Sequence, residues 1–257
     1  VSHAVVRGRP NAGQLYVDKM LDAIIEKDSE KLILLVTVLI SIFFCQINGV
    51  TGVKFTNADI LKLAIPISHS FLRKDLRGQT IMLVLSNTEN LFAIYYGALF
   101  AGVVLFLLDP NSTKHELTYF LPLVEPALVV CDGCRSDDVM EAVLDMGRDV
   151  LVITDEEFVA LACSRGTVAL AVVGGSTGMP KAAILSHQGL LGQAPSLWSY
   201  HDRFPRPTDT ALLLSTAQWM THTNLLTACP IFDITMLTSS QRNVEHILYL
   251  CETFQVQ

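Results

Sequence analysis

A glycine-rich stretch between two apolar runs carries the side chains best suited to chemistry in this chain. It reads VVGGSTGMPKAAILSHQGLL over residues 172–191. Its glycines leave room for backbone N–H groups to converge on an anion, because they carry no Cβ atom. Neighbouring hydroxyls add donors, and a lysine adds a compact positive charge. The predicted phosphate-binding residues are Gly174, Gly175, Ser176, Thr177, Gly178 and Lys181. A glycine-rich surface hairpin is the alternative.

The runs that flank this stretch decide which kind of phosphate loop it resembles. TVALAVV and KAAILSH are each of strand length and rich in small or β-branched residues, and a helix is expected only after His187. A Walker A loop instead opens a helix with Gly-Lys-Ser/Thr. Lys181 follows Pro180 and precedes Ala182. The pattern therefore predicts strand–loop–strand and excludes a Walker A loop.

Composition limits the classes of partner. The 257 residues are 51% hydrophobic and carry a formal net charge of −7, which favours a folded core and argues against nucleic acid. Six cysteines are too sparse for a disulfide scaffold and favour a reducing compartment. Cys131 and Cys134 form one Cys-x-x-Cys pair with no second pair to complete a zinc site, so we expect structural cysteines and no metal site.

The elements that would position the loop alternate between strands and helices. Asn48-Gly49 and Thr51-Gly52 predict a hairpin turn, and Thr56 with Asp59 predicts a capping box that opens a helix, which Pro66 should kink. A second capping box is predicted at Thr113 and Glu116. The expected strands are 81–85, 103–107, 127–131 and 150–153, and the expected helices are 88–101, 112–121 and 137–146. Near-continuous apolar strands separated by amphipathic helices predict an α/β fold, a parallel sheet layered by helices.

One apolar run departs from this pattern. Leu32 to Cys45 contains fourteen uncharged residues, which is short of the roughly 20 that a membrane span needs. A buried strand-and-turn or core helix is the plain interpretation, and membrane attachment is the alternative.

The loop resembles the signature of the adenylate-forming (AMP-binding) superfamily, which includes acyl-CoA synthetases, 4-coumarate–CoA ligases and luciferases. Its residues Gly175, Ser176, Thr177, Gly178, Pro180, Lys181 and His187 fit that signature in register, whereas Val173, Gly174 and Ala182 depart from it. Three further passages also resemble the family: GVTGVKFTNADILKLA, the passage from VLSNTEN to ELTYFL, and RNVEHILYLCETFQVQ. The similarity spans nearly the whole chain apart from Leu32–Gln46.

The resemblance implies an ATP-dependent carboxylate–CoA ligase. Such an enzyme uses ATP and Mg²⁺ to form an acyl-adenylate, releases pyrophosphate, and transfers the acyl group to coenzyme A. The expected partners are a small-molecule carboxylic acid, ATP and coenzyme A, and the expected location is cytoplasmic or peroxisomal. Ser176, Thr177 and Lys181 would hold the β- and γ-phosphates, since donors aimed at the leaving pyrophosphate stabilise its developing charge. No residue is assigned a catalytic role.

The stretch LLLSTAQWMTHTNLL lies where the family places an acyl-pocket segment. A functional interpretation puts Trp219 and His222 at that pocket. The alternative is a polar turn with a packed tryptophan, which we favour because one histidine and one tryptophan are a weak signal.

The family's later motifs, including Tyr-Gly-x-Thr-Glu and the lysine-bearing C-terminal domain, have no counterpart in the sequence. We therefore expect residues 1–257 to form an incomplete N-terminal AMP-binding domain with a 32–46 apolar insert and no C-terminal domain. The insert ends in a pattern that a retained intron closing in CAG would encode. Two further hypotheses remain open: a catalytically inactive truncated relative that acts as a binding protein, and a membrane-attached variant.

Overall fold

The computed structural model describes residues 44–147, 150–165, 173–174, 181–182, 209–231 and 234–256. Within these ranges the chain forms two four-stranded sheets with helices packed against them, and one short strand pair. The predicted α/β class is confirmed.

The first sheet, here called the parallel sheet, has the order β4-β3-β5-β6, and all of its strands run in the same direction. Its strands are β3 Thr80–Val84, β4 Val104–Leu108, β5 Leu128–Cys131 and β6 Leu151–Thr154. Successive residues of β3 face opposite sides, as a strand requires: Ile81 belongs to one hydrophobic core and Met82 to a second. Both faces are covered, which explains why the strands read as nearly continuous apolar runs.

The second sheet, here called the mixed sheet, joins segments that are far apart in the chain. Its order is β2-β1-β10-β9, with β1–β2 antiparallel and the β1–β10 and β10–β9 pairs parallel. Its strands are β1 Phe44–Asn48, β2 Lys54–Thr56, β9 Thr210–Leu213 and β10 Thr235–Thr238. The predicted hairpin is the β1–β2 pair, and Asn48 closes its turn by accepting from the Gly52 N–H at 2.7 Å.

Seven helices of the described ranges surround these sheets. They are α1 Asn57–Arg73, α2 Glu89–Ala101, α3 Lys114–Val124, α4 Ser136–Asp145, α5 Asp155–Arg165, α6 Met220–Ile231 and α7 Val244–Phe254. Both predicted capping boxes are present, at the starts of α1 and α3, and α1 runs as one helix through Pro66. Helix α2 has ten of its 13 residues buried, so it is a central core helix.

The end of the apolar Leu32–Gln46 segment belongs to the fold. Strand β1 begins at Phe44, and Gln46 is fully buried and pairs in register with Met236 of β10. Residues 32–43 lie outside the described ranges. Among the helices that the structure describes, none is long and apolar enough to cross a membrane.

Candidate active site

A polar cavity of about 200 Å³ opens at the carboxyl ends of strands from both sheets. Ligands of open α/β sheets bind at this edge, outside the carboxyl ends of the strands. The segments that follow β3, β4, β9 and β10 line it. The lining residues are Ser86, Asn87, Pro110, Asn111, Thr216, Ser239, Ser240 and Arg242.

Hydrogen bonds to acidic side chains fix two of these segments. Asp132, which follows β5, accepts from the Ser86 N–H at 3.0 Å and from the Ser86 hydroxyl at 2.6 Å. Asp109, which follows β4, accepts from the Thr216 hydroxyl at 2.8 Å. The second bond crosses from the parallel sheet to the segment after β9, so it joins the two walls of the cavity.

A pair of donors fixes the start of the β9–α6 connection. The Ser215 carbonyl accepts from Asn87 Nδ2 at 2.9 Å and lies 2.8 Å from His222 Nδ1. His222 is fully buried, and burial lowers its pKa from 6.5 to about 4, so the ring is neutral near pH 7. Asn87 is also buried, and its Oδ1 has no hydrogen-bond partner among the described residues.

The turn after β10 brings a positive charge to the cavity. Ser239 Oγ accepts from the Gln241 N–H at 3.1 Å and lies 3.0 Å from His246 Nε2, which holds this turn against the first turn of α7. Arg242 follows and is the one charged side chain among the residues that line the cavity. A guanidinium beside hydroxyl and amide groups suits a polar ligand with an anionic group.

The predicted phosphate loop is described only at its two ends. Strands β7 Val173–Gly174 and β8 Lys181–Ala182 pair antiparallel, with Gly174 opposite Lys181. This agrees with strand–loop–strand at the residues next to the loop. Gly175, Ser176, Thr177 and Gly178 lie outside the described residues, so the phosphate-binding role stays a prediction.

The structure separates the two residues of the weak acyl-pocket prediction. Trp219 is 48% exposed, so about half of its surface is buried. His222 is fully buried, and its Nδ1 lies 2.8 Å from the Ser215 carbonyl oxygen. Neither residue lines the cavity, whereas Thr216 of the same stretch does. Their role in binding an acyl group stays a prediction.

The Cys-x-x-Cys pair lies at the end of β5. Cys131 is buried and Cys134 is exposed, and burial, aided by nearby carboxylates, raises the pKa of the Cys131 thiol to about 12. Such a thiol is a poor nucleophile and metal ligand near neutral pH. In the part of the chain that the structure describes, no group of three or more His, Cys, Asp or Glu could hold a metal ion.

Comparison with known proteins identifies the family. The family model described as AMP-binding enzyme matches residues 45–256. The chain belongs to this family. Its match begins within β1 and ends within the last described residues, so it includes both sheets, the cavity and the predicted loop.

Curated relatives of this AMP-binding chain agree with that assignment, and solved structures of other proteins share its fold. 4-Coumarate–CoA ligase 1 of Petroselinum crispum is 26% identical over an alignment of 184 residues, which covers 62% of this chain and 34% of that protein. The N-terminal domain of FACL13 from Mycobacterium tuberculosis superimposes with a TM-score of 0.78 at 16% identity, covering 96% of this chain and 62% of that one. ATP-bound MatB from Rhodopseudomonas palustris gives 0.72 at 20% identity, covering 95% and 48%. The chain thus spans about a third of the length of the curated relatives it matches.

Sequence reasoning missed most of the cavity of this AMP-binding domain. Asn87, Asn111, Ser239 and Arg242 were not singled out as site residues, although three of them lie in passages that resemble the family, and they come from separate parts of the chain. Their position directly after apolar strands was the available signal, because carboxyl ends of parallel strands gather at one edge.

Proposed function

We propose that this chain is the N-terminal part of an ATP-dependent carboxylate–CoA ligase that forms an acyl-adenylate and then an acyl-CoA thioester. The polar cavity carries the proposal. It lies at the carboxyl ends of strands from both sheets and offers Arg242 and the hydroxyl groups of Thr216, Ser239 and Ser240 to a ligand. A carboxylate, ATP and coenzyme A are all anionic, and each therefore suits a site with a guanidinium.

The glycine-rich loop supplies the second part of the proposal. Lys181 and the hydroxyls of Ser176 and Thr177 bind the β- and γ-phosphates of ATP, and they stabilise the charge that grows on pyrophosphate as it leaves. Mg²⁺ enters with ATP as the counter-ion of the phosphates, because this ion keeps most of its ligands as water and phosphate oxygens. It would need no cage of protein ligands.

Titration calorimetry of the 257-residue chain with MgATP and with coenzyme A tests this proposal. We expect binding of MgATP, and we expect Lys181→Ala to weaken it by about 1–3 kcal/mol, the scale of a charge-assisted hydrogen bond. Arg242→Ala should weaken binding of at least one of the two ligands by a similar amount. Lys62→Ala is the matched control, since Lys62 is an exposed helix lysine whose ammonium lies 3.4 Å from Asp59 on the same helix. Affinities that do not change in either site variant would remove the loop and the cavity from ligand binding.

Pyrophosphate release tests whether these 257 residues catalyse adenylation or only bind ligands. Adenylation needs the carboxylate held in line with the α-phosphate, and such positioning supplies roughly 7–11 kcal/mol of a barrier. The described cavity supplies binding groups but no charged group besides Arg242, so we expect these 257 residues to bind without turnover. Turnover on a panel of fatty and aromatic acids, lost in Thr177→Ala, would contradict this expectation and exclude the inactive alternative.

A further inference from the structure

One backbone carbonyl connects the two sheets at the rim of the cavity. The Ser215 oxygen accepts from Asn87 Nδ2, which follows β3 of the parallel sheet, at 2.9 Å. It lies 2.8 Å from Nδ1 of His222, which is on α6 behind β9 of the mixed sheet. We call these three groups the Ser215 clamp. Asn87 and Ser215 are 128 residues apart in the chain, so no local turn imposes this contact.

The hydrogen bond to the Ser215 carbonyl determines which ring nitrogen of the neutral His222 carries the proton. A carbonyl has no hydrogen to give, so His222 Nδ1 must carry the proton and Nε2 must hold the lone pair. Nε2 of His222 and Oδ1 of Asn87 have no hydrogen-bond partner among the described residues. Both side chains are almost completely buried. The one described hydrogen bond of each side chain is therefore its bond to the Ser215 carbonyl. Packing alone does not explain either residue, because an apolar side chain would fill the same space without burying an unpaired polar atom.

The segment that the clamp holds forms a wall of the cavity. Thr216 lines the cavity, and its hydroxyl is bonded to Asp109 across the sheets. The Thr216 carbonyl accepts from the Trp219 N–H at 3.0 Å, and the Trp219 carbonyl accepts from the His222 N–H at 2.9 Å. The Ser215–Trp219 turn therefore starts at one clamp residue, Ser215, and leads into another, His222. The half-exposed Trp219 lies between these two residues.

We propose that Asn87 and His222 are positioning residues, which hold the Ser215–Trp219 turn in place as the wall of the cavity. The turn, once released, moves away from the β3 and β4 ends, so that Trp219 becomes more exposed and the cavity loses its shape. The inference rests on the proposed function in one respect: the cavity must be the substrate site for the clamp to affect binding.

Trp219 reports on the turn directly. Trp198 is the other tryptophan of the chain, and a Trp198→Phe background leaves Trp219 as the single fluorophore for acrylamide quenching. We expect Asn87→Ala to raise the quenching constant by about twofold, since the ring is 48% exposed at the start. Tyr96→Phe is the control, because it removes another buried hydrogen bond to a carbonyl of α6, from Tyr96 Oη to Leu226 O at 2.9 Å. It should leave quenching unchanged.

Two amides at position 222 separate positioning from packing. In asparagine the donor nitrogen is bonded to Cγ, as Nδ1 is in histidine, whereas in glutamine it is one bond further out. His222→Asn should therefore keep the quenching of the parent, and His222→Gln should raise it as Asn87→Ala does. Nitrogen-15 spectra of the parent chain add a test without any variant: His222 should remain the neutral Nδ1–H tautomer between about pH 5 and about pH 8.

These experiments test whether Asn87 and His222 hold the turn, and they do so without any bound ligand. Equal quenching in Asn87→Ala and Tyr96→Phe, no difference between His222→Asn and His222→Gln, or an Nε2–H tautomer would each overturn the proposal. Where the parent chain binds MgATP or coenzyme A, Asn87→Ala should weaken binding of the ligand that enters the cavity by roughly fivefold. A parent chain that binds neither ligand would contradict the proposed function, while the quenching results would still decide whether the clamp holds the turn.

Discussion

Burial shifts the pKa values of two titratable residues in the described core. It raises the pKa of Asp155, which opens α5 and accepts from Asn90 Nδ2 at 2.9 Å, and it lowers the pKa of His222 to about 4. The two effects have one cause, because a low-dielectric interior disfavours the charged form of either group. His222, which is buried behind the wall of the cavity, is thus neutral near pH 7. Among the residues that line the cavity, Arg242 supplies the positive charge that a ligand can contact.

His222 makes stability depend on pH. Its folded pKa of about 4 lies below its ordinary 6.5, so between these values the unfolded chain binds the proton and the folded chain does not. Stability is therefore complete above about pH 6.5 and falls as the pH decreases, by about 2 kcal/mol between about pH 7 and about pH 5. Urea unfolding at both values measures this loss. His222→Asn cannot titrate and should lose correspondingly less, and an equal loss in both proteins would show that His222 is not the cause.

Motifs formed by residues close together in the sequence were predictable. Hydrogen bonds between residues far apart in the sequence were not. Thr56 with Asp59 and Thr113 with Glu116 form the expected capping boxes, because each box depends on residues three apart. Asn87 was not singled out, since its partner Ser215 comes 128 residues later. Trp219 was expected to pack and is half exposed, and its hydropathy alone did not indicate this.

At the scale of elements, α1 and α2 cross at very short range. A Cβ atom placed on Gly97 of α2 would lie 2.4 Å from Ile67 Cγ2 and 2.8 Å from the Ala64 carbonyl of α1. Real Cβ atoms do not approach that closely, so only glycine allows this crossing. Because α2 is buried on nearly all sides, it cannot move away to relieve the contact.

Gly97→Ala should therefore destabilise the fold although alanine is the better helix former. We expect a loss of about 1–3 kcal/mol from overpacking, which exceeds the helix-propensity gain of about 1 kcal/mol. Thermal unfolding followed by circular dichroism measures the change. Gly133→Ala is the matched control, since the nearest atom to its added Cβ would be Glu156 Oε2 at an ordinary 3.5 Å. A Gly97→Ala protein as stable as the parent would show that the crossing can relax.

Strands and helices with a clear hydrophobic pattern were predictable from the sequence. The division of the strands between two sheets was not. Every strand and helix expected between residues 81 and 153 is present, with bounds within three residues of those expected, because apolar strands and amphipathic helices alternate there. Helix α5 was missed: its DEEFVALACSR sequence has an acidic start and a weakly apolar face. The separate mixed sheet was also missed, since β1 and β10 pair across most of the chain.

At the scale of the whole molecule, one helix face stands out on the surface. Helix α7 carries Val244, Leu248 and Tyr249 at 69%, 57% and 56% exposure. The first two are one helical turn apart and the third adjoins them, so they form one apolar patch. Exposed apolar patches of this kind promote association in water.

We expect the purified 257-residue chain to self-associate through this patch. Leu248→Lys should raise the fraction of monomer in sedimentation velocity, because a charge at its centre must be desolvated on contact. Leu123→Lys is the control: Leu123 is 54% exposed and is the single exposed large apolar side chain described on α3. An unchanged monomer fraction in Leu248→Lys, or an equal rise in both variants, would remove α7 as the contact.

The pairing of β1 with β10 also sets an order of events on the ribosome. The bond from the Thr238 hydroxyl to the Ile47 carbonyl joins residues 191 apart. At roughly 5–20 residues per second, β10 is synthesised roughly 10–40 s after β1. The parallel sheet, whose strands lie between Thr80 and Thr154, is complete well before that time. Throughout the delay β2 is the one described strand available to pair with β1, so the β1 edge that later pairs with β10 is open to chaperones or to neighbouring nascent chains. The first described strand to be synthesised is thus among the last to obtain all of its partners.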